Sequence, residues 1–368
     1  MNPREVSRMR IKRYAFAVLL VLGGCSGAST PGEQEADVGT EAATPMPDAP
    51  PPPYVVYVTN EGSGDLSVIR GDTHEVTATI PLGKRPRGIK VGPDGQQLFV
   101  ALSGSPPAPP GVDEDTLPPP DRAADGVGIV DIAEQRVVNV LRAGTDPEQI
   151  AVSADGTRVF VANEDAALAS IVDIATGDIV AELPVGGEPE GVTLSPDGRW
   201  VYVTSENDSQ VTVIDAAALE VVTVFDVGAR PRSSNFSPDS TRAYVTAENG
   251  GTVSVVDTST HTVTDTVQLT GDSVRPMDVV VSPDGARVYV STGRGRLIMA
   301  IDADTLEVAG SVEVGTRPWG IALTSDGRYL YAANGPSNDV SVVDTETLQV
   351  IATIPVGERP WGVAIVEN

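Results

Sequence analysis

Residues 191–225 read GVTLSPDGRWVYVTSENDSQVTVIDAAALEVVTVF, and they contain one complete structural unit. Gly191 to Ser195 is a short apolar run. Ser195-Pro196-Asp197-Gly198 is a type I turn, with proline preset at its second position and glycine closing it. Trp200 to Thr204 and Val211 to Ile214 follow as a hairpin of two strands, and Val221 to Phe225 makes a fourth, outer strand.

The unit recurs. Its lead aromatic appears as Tyr57, Phe99, Phe160, Tyr202, Tyr244, Tyr289 and Tyr331, at successive intervals of 42, 61, 42, 42, 45 and 42 residues. The prolines of a G-x-x-P-x-G loop and its variants keep the same phase: Pro86, Pro147, Pro189, Pro231, Pro276, Pro318 and Pro360. The long interval places a Pro-rich acidic insertion at 103–125, and the interval of 45 places three extra residues near Gly271. Such a period, rich in Val, Ile, Tyr and Thr, marks a four-stranded propeller blade. The expected fold is all-β, a seven-bladed β-propeller of antiparallel blades. Since the repeats start on a second strand at Tyr57 and stop on an inner one, Trp361 to Asn368, the last strand is expected to complete the first blade and close the ring. The Asp that ends a third strand (Asp131, Asp173, Asp215, Asp257, Asp302, Asp344) is expected to cap the next turn. Arg70 replaces it once.

Tyr57-Val58-Thr59-Asn60, with degenerate copies at Phe160 to Asn163, Tyr202 to Ser205, Tyr244 to Ala247 and Tyr331 to Asn334, resembles the repeat of the YVTN family of seven-bladed propellers. The resemblance covers residues 54–368 and implies the fold. It implies no single activity, because the family looks like a scaffold put to several purposes.

Before the repeats, Arg4, Arg8, Arg10, Lys12 and Arg13 precede an apolar run, Tyr14 to Leu22, that ends in Leu22-Gly23-Gly24-Cys25. The run is too short to span a membrane in the mature chain, and its basic flank reads as a secretory signal. L-G-G-C resembles a bacterial lipobox, which implies cleavage before Cys25 and lipid on its sulfur. Cys25 is the only cysteine, so once it is modified no thiol remains for disulfides, thiolate metal sites or nucleophilic catalysis. The expected organisation is a signal peptide at 1–24, a lipidated Cys25 with a disordered Pro/Ala/Glu-rich tether at 25–53, and the propeller at 54–368. The expected place is the cell envelope: the outer membrane in a Gram-negative source, given Ser26 after the cysteine, and otherwise the cell surface.

The chain has 25 Lys plus Arg against 51 Asp plus Glu. Removing 1–24 takes away five basic residues and Glu5, leaving 20 against 50, a net charge of −30. That field disfavours nucleic acid and leaves the lipid anchor as the only membrane contact. A monomer is expected.

In antiparallel blades the G-x-x-P-x-G loops ring one mouth of the central channel. The residues flanking their prolines are Arg85/Arg87, Asp146/Glu148, Glu188/Glu190, Arg230/Arg232, Arg275/Met277, Arg317/Trp319 and Arg359/Trp361. Two neighbouring blades are thus acidic and the others carry Arg. Trp319 and Trp361 should be neighbours, and the 103–125 insertion should rise from the same face. Arginines so placed either pair with acidic loops such as Asn163-Glu164-Asp165 and Glu206-Asn207-Asp208 or hold a carboxylate, phosphate or peptide, with the acids orienting a basic group opposite. The expected partner is a protein, a peptide or a small anionic or zwitterionic ligand.

No catalytic residue is assigned. His74 and His261, the only histidines, fall in turns between third and outer strands and are expected as solvated turn residues. Lactonase-type propellers resemble this chain in their P-x-G and S-P-D-G turns. Their histidine-bearing P-R-H element is replaced here by Pro86-Arg87-Gly88 and Pro231-Arg232-Ser233. No cofactor or metal ligand set is assigned, although Asp and Glu suffice for a divalent cation. The expected function is therefore a binding or scaffold module, with a metal-assisted hydrolase or lactonase at the same mouth as the alternative.

Overall fold

The computed structural model describes residues 53–107 and 116–367. The expected signal peptide, Cys25, nearly all of the tether and part of the insertion lie outside them. Among the described residues, twenty-eight strands form seven four-stranded sheets. The unit that opened the sequence is β12 (Pro189–Leu194), β13 (Trp200–Ser205), β14 (Gln210–Asp215) and β15 (Glu220–Asp226), paired in that order. The final strand, β28 (Pro360–Glu367), pairs antiparallel with β1 (Tyr54–Asn60), Val56 facing Ile365, so the two ends of the propeller share a blade.

Strand alternation sends successive side chains to opposite neighbouring blades, and the core is accordingly seven seams. Tyr202, Val211 and Val213 of the fourth blade meet Phe236, Ala243 and Val245 of the fifth; Tyr57, Leu66 and Val68 of the first meet Ile89, Leu98 and Val100 of the second. The predicted aspartate caps are present: Asp215 Oδ1, for example, accepts the Ala217 and Ala218 amides at 3.0 and 2.8 Å. Arg70, in the one blade without the aspartate, instead binds Asp72 at 2.6 Å.

Neither histidine is a freely solvated turn residue, although His74 is only half-buried. His261 is buried, with Nδ1 2.8 Å from Tyr202 Oη and its ring edge-on to Trp200 at 4.7 Å. His74 Nδ1 lies 3.1 Å from Tyr331 Oη. Each turn lies over the lead tyrosine of the preceding blade, a relation invisible along a single repeat.

The motif residues clasp the blades near the mouth. Thr204 Oγ1 receives the Gly191 amide at 2.8 Å and donates to the Arg232 carbonyl of the next blade at 3.2 Å. Thr59 does the same between Gly362 and Arg87, at 2.9 and 2.7 Å, and Thr246 between Ser233 and Met277, at 3.1 and 2.7 Å. Asn60 Nδ2 ties its hairpin through Asp65 and Ser67 at 2.6 and 2.9 Å, and a Cβ on Gly357 would meet that side chain at 2.6 Å. Thr204→Val keeps the shape but orphans a buried amide and a buried carbonyl, each a desolvation cost of about 1–3 kcal/mol. Its chemical denaturation midpoint should fall accordingly, whereas an exposed outer-strand control, Thr266→Val, should leave the midpoint unchanged.

Candidate functional site

The inner strands bring their first residues to one end of the channel, where a cavity of about 350 Å³ opens. Arg85, Arg87, Asp146, Glu190, Arg230, Arg232, Arg317, Trp319, Arg359 and Trp361 line it, joined by Glu61, Glu164 and Asp165 and by Pro106, Pro107 and Leu117 of the insertion. The described ends of the insertion are tied down here, because Arg85 Nη1 donates to the Ser105 carbonyl at 2.8 Å and Arg122 pairs with Asp165. Arg275, Glu148 and Glu188 lie outside the lining. Arg275 reaches the Glu248 carbonyl at 3.5 Å, Glu148 is fully buried against Arg87, and Glu188 is half-buried.

Most of the arginines are spent on carboxylates. Glu61, itself buried, accepts from Arg85 at 3.2 Å and from Arg87 at 3.0 Å, and it lies 3.2 Å from Arg359. Arg232 is buried between Glu190, at 2.9 Å, and Glu206. Arg230 contacts Glu206 at 2.5 Å and Glu248 at 3.4 Å. Carboxylates buried without such partners would carry a large desolvation cost, so the pairs act mainly by holding the loops in place. The two acidic blades expected from the sequence are thus tied to their Arg-bearing neighbours through these pairs. Glu148 and Glu190 are paired with Arg87 and Arg232 of adjoining blades.

Glu61 and Glu248 were not singled out from the sequence. The signal was there: an acid directly follows the second strand in Asn60-Glu61, Asn163-Glu164, Ser205-Glu206 and Ala247-Glu248.

Arg317 differs from the rest. Among the described residues it has no carboxylate at ion-pair distance; its guanidinium lies 4.9 Å from the Trp319 ring centroid, with Arg232 5.1 Å from the same ring. Trp361 lies 5.7 Å from Trp319, tilted by 30°. Burial holds the Arg317 guanidinium below the usual arginine value, with Glu248 opposing and Arg232, Arg294 and Arg359 adding to the effect. An anion placed there would relieve both the burial and the repulsion.

Carboxylate oxygens of Asp146, Glu148 and Glu164 lie within 4.8 Å of one another. The donor set suits a hard cation, and guanidinium groups stand beside it: Arg87 contacts Glu148 and lies 4.0 Å from Glu164, and Arg85 lies 3.8 Å from Asp146. Burial, with Glu190 and Asp146 adding and Arg87 opposing, pushes the Glu164 carboxyl up to about 8.

Two family models match parts of the chain: "Lactonase, 7-bladed beta-propeller" over residues 217–350 and "YNCE-like beta-propeller" over 121–240. No curated protein matches. Among solved structures, a putative 6-phosphogluconolactonase from Bacteroides fragilis NCTC 9343 is 19% identical, with a TM-score of 0.68 over 85% of this chain and 98% of that one. A functionally unknown protein from Desulfotomaculum acetoxidans DSM 771 is 16% identical, with a TM-score of 0.67 over 85% and 99%. The Kuenenia stuttgartiensis hydrazine synthase structure is 22% identical, with a TM-score of 0.64 over 77% and 95%. At these identities the likeness is one of fold.

The pH response of Glu164 can be tested directly. Its folded value near 8 lies above the ordinary carboxyl value of about 4.3, so across that window the folded state holds a proton the unfolded chain has released, and stability is lost as pH rises. Glu164→Gln removes this loss. Relative to the parent protein, the variant's melting temperature should gain several degrees between pH 5 and pH 9 in differential scanning fluorimetry.

Proposed function

We propose that the protein is a ligand-binding module of the cell envelope, a YVTN-type propeller held at the membrane by lipid on Cys25 and acting as a monomer. Its binding centre is Arg317 with Trp319 and Trp361, and its ligand is a protein segment or small molecule carrying a carboxylate or phosphate on an aromatic or apolar body. The observation that carries this reading is the Arg317 guanidinium, which among the described residues has no carboxylate at ion-pair distance and lies over an indole, in a ring where Arg85, Arg87, Arg230, Arg232 and Arg359 contact glutamates. Guanidinium forks bind carboxylate and phosphate bidentately, and the indole supplies apolar area.

Calorimetric screening of the soluble 54–368 fragment against aromatic carboxylates and phosphates tests it. A charge-assisted contact contributes about 1.5–3 kcal/mol, so Arg317→Ala should weaken binding about tenfold to a hundredfold. Arg230→Ala, whose guanidinium already serves Glu206 and Glu248, should change it little; equal losses in both variants would remove the special role of Arg317.

The anchor has its own test. Cys25→Ser should abolish metabolic lipid labelling and release the protein from the membrane fraction or leave it uncleaved; a mature-sized, membrane-bound Cys25→Ser protein would remove the lipobox reading.

A second reading, a hydrolase of lactone-like esters at the same mouth, draws support from the lactonase match over 217–350 and from Glu164, protonated beside Asp146 and Glu148. It requires turnover of a lactone by the parent protein and its loss in Glu164→Gln.

A further inference from the structure

Of the chain's lysines, Lys12 precedes the described residues, and Lys84 forms a surface ion pair with Asp121 at 2.8 Å. Lys90 is different. It lies on the inner strand β4 (Pro86–Val91), where three cavities meet: a small one of about 50 Å³ within the channel, and two of about 350 and 340 Å³ that open at the end bearing the S-P-D-G turns. This end is opposite the arginine-bearing mouth.

Among the described residues the Lys90 ammonium has no hydrogen bond or ion pair, its backbone pairing with Phe99 in the sheet. The carboxylate nearest to it in kind, Asp278 of the channel lining, is already satisfied: it accepts from Ser233 Oγ at 2.7 Å, the Val279 amide at 2.9 Å and the Ile321 amide at 3.0 Å. The other polar groups at the junction, Gln149, Thr193, Ser233 and Asn235, are neutral. Gln149 Oε1 and Ser234 Oγ, which line the channel cavity, are buried without a protein partner. Around this polar centre the cavities present half-buried apolar side chains, Val91, Val152 and Leu194 on one side and Val281 and Leu323 on the other. Burial lowers the Lys90 ammonium from the ordinary lysine value, Asp278 opposing, so the charge is held at a cost that a bound anion would offset.

We infer that this end of the channel is a second ligand site, where Lys90 receives the carboxylate of a small amphipathic acid whose apolar chain lies on Val91, Val152, Leu194, Val281 and Leu323. A single ammonium, with the Asp278 carboxylate in the same channel, leaves room for a monoanion at most and disfavours a phosphate dianion. The apolar rim selects a chain over a hydrophilic acid. The inference is independent of the arginine-bearing mouth.

Octanoate is a suitable probe. Calorimetry should show saturable binding to the parent protein, binding at least tenfold weaker to Lys90→Met, and unchanged binding to Arg317→Ala. Octylammonium, of the same length and opposite charge, should not bind. An amine-acylating reagent read by peptide mass spectrometry gives a second measurement that needs no variant: octanoate should protect Lys90 and leave Lys84 reactive. Failure of the parent protein to bind octanoate, equal binding by a folded Lys90→Met, or labelling of Lys90 unaffected by octanoate would each overturn the inference. Should Lys90→Met not fold, the protection experiment decides.

Discussion

The contact on which the propeller depends is the approach of one inner strand to the next at the P-x-G step. A Cβ on Gly191 would lie 2.5 Å from the Arg232 carbonyl oxygen, one on Gly320 2.5 Å from that of Trp361, and one on Gly362 2.6 Å from that of Arg87. These distances leave room for hydrogen alone at Gly191, Gly320 and Gly362, and glycine stands at this step in four blades, whereas Gln149, Ser233 and Asp278 hold it in the other three. The threonine hydroxyls then join the same two backbones, each taking an amide from its own inner strand and giving its proton to the carbonyl across the seam. Where Ala101, Ala162 and Ala333 occupy the threonine position, a seam relies on packing without that bond.

One consequence is that the backbone of the mouth is nearly invariant from blade to blade while its side chains are not. Arg87, Arg232, Met277, Trp319 and Trp361 occupy equivalent positions beside a proline, four of them with a carbonyl clasped by a neighbouring blade's hydroxyl. The ring is thus a common frame on which charge and aromatic surface differ from blade to blade. The residue before the proline is left-handed in six blades, at φ 39 to 57° for Arg85, Asp146, Glu188, Arg230, Arg317 and Arg359. The common backbone starts the six side chains in the same direction relative to their strands.

Within that frame the electrostatics are local. A chain of net charge −26 repels anions at long range, yet its mouth contains nearly matched guanidinium and carboxylate groups, and its opposite end holds a single ammonium. Attraction for an anionic group at either end must therefore come from short-range contact, where burial strengthens a pair that water and salt would weaken at the surface. The two ends also differ in kind. Arg317 offers a planar fork with an aromatic face, whereas Lys90 offers a point charge within an apolar rim.

The fold was legible in the sequence because its determinants are local and repeated. The 42-residue period, the turn chemistry of S-P-D-G, the lead aromatics and the orphan last strand each act within one blade, and together they set the blade number, the strand order and the closure. The neighbouring tryptophans followed from the same register. What only the tertiary structure decided were contacts between blades: the burial of His261 under Tyr202, the sharing of Glu61 by three arginines, the pairing of Glu190 with Arg232, and the presence of Lys90 at a junction of cavities. None of these is encoded by spacing within a repeat. They depend on side-chain reach across a seam, and ion-pair choice among many arginines and glutamates of similar register is settled by differences of an ångström or two that a one-dimensional pattern does not carry.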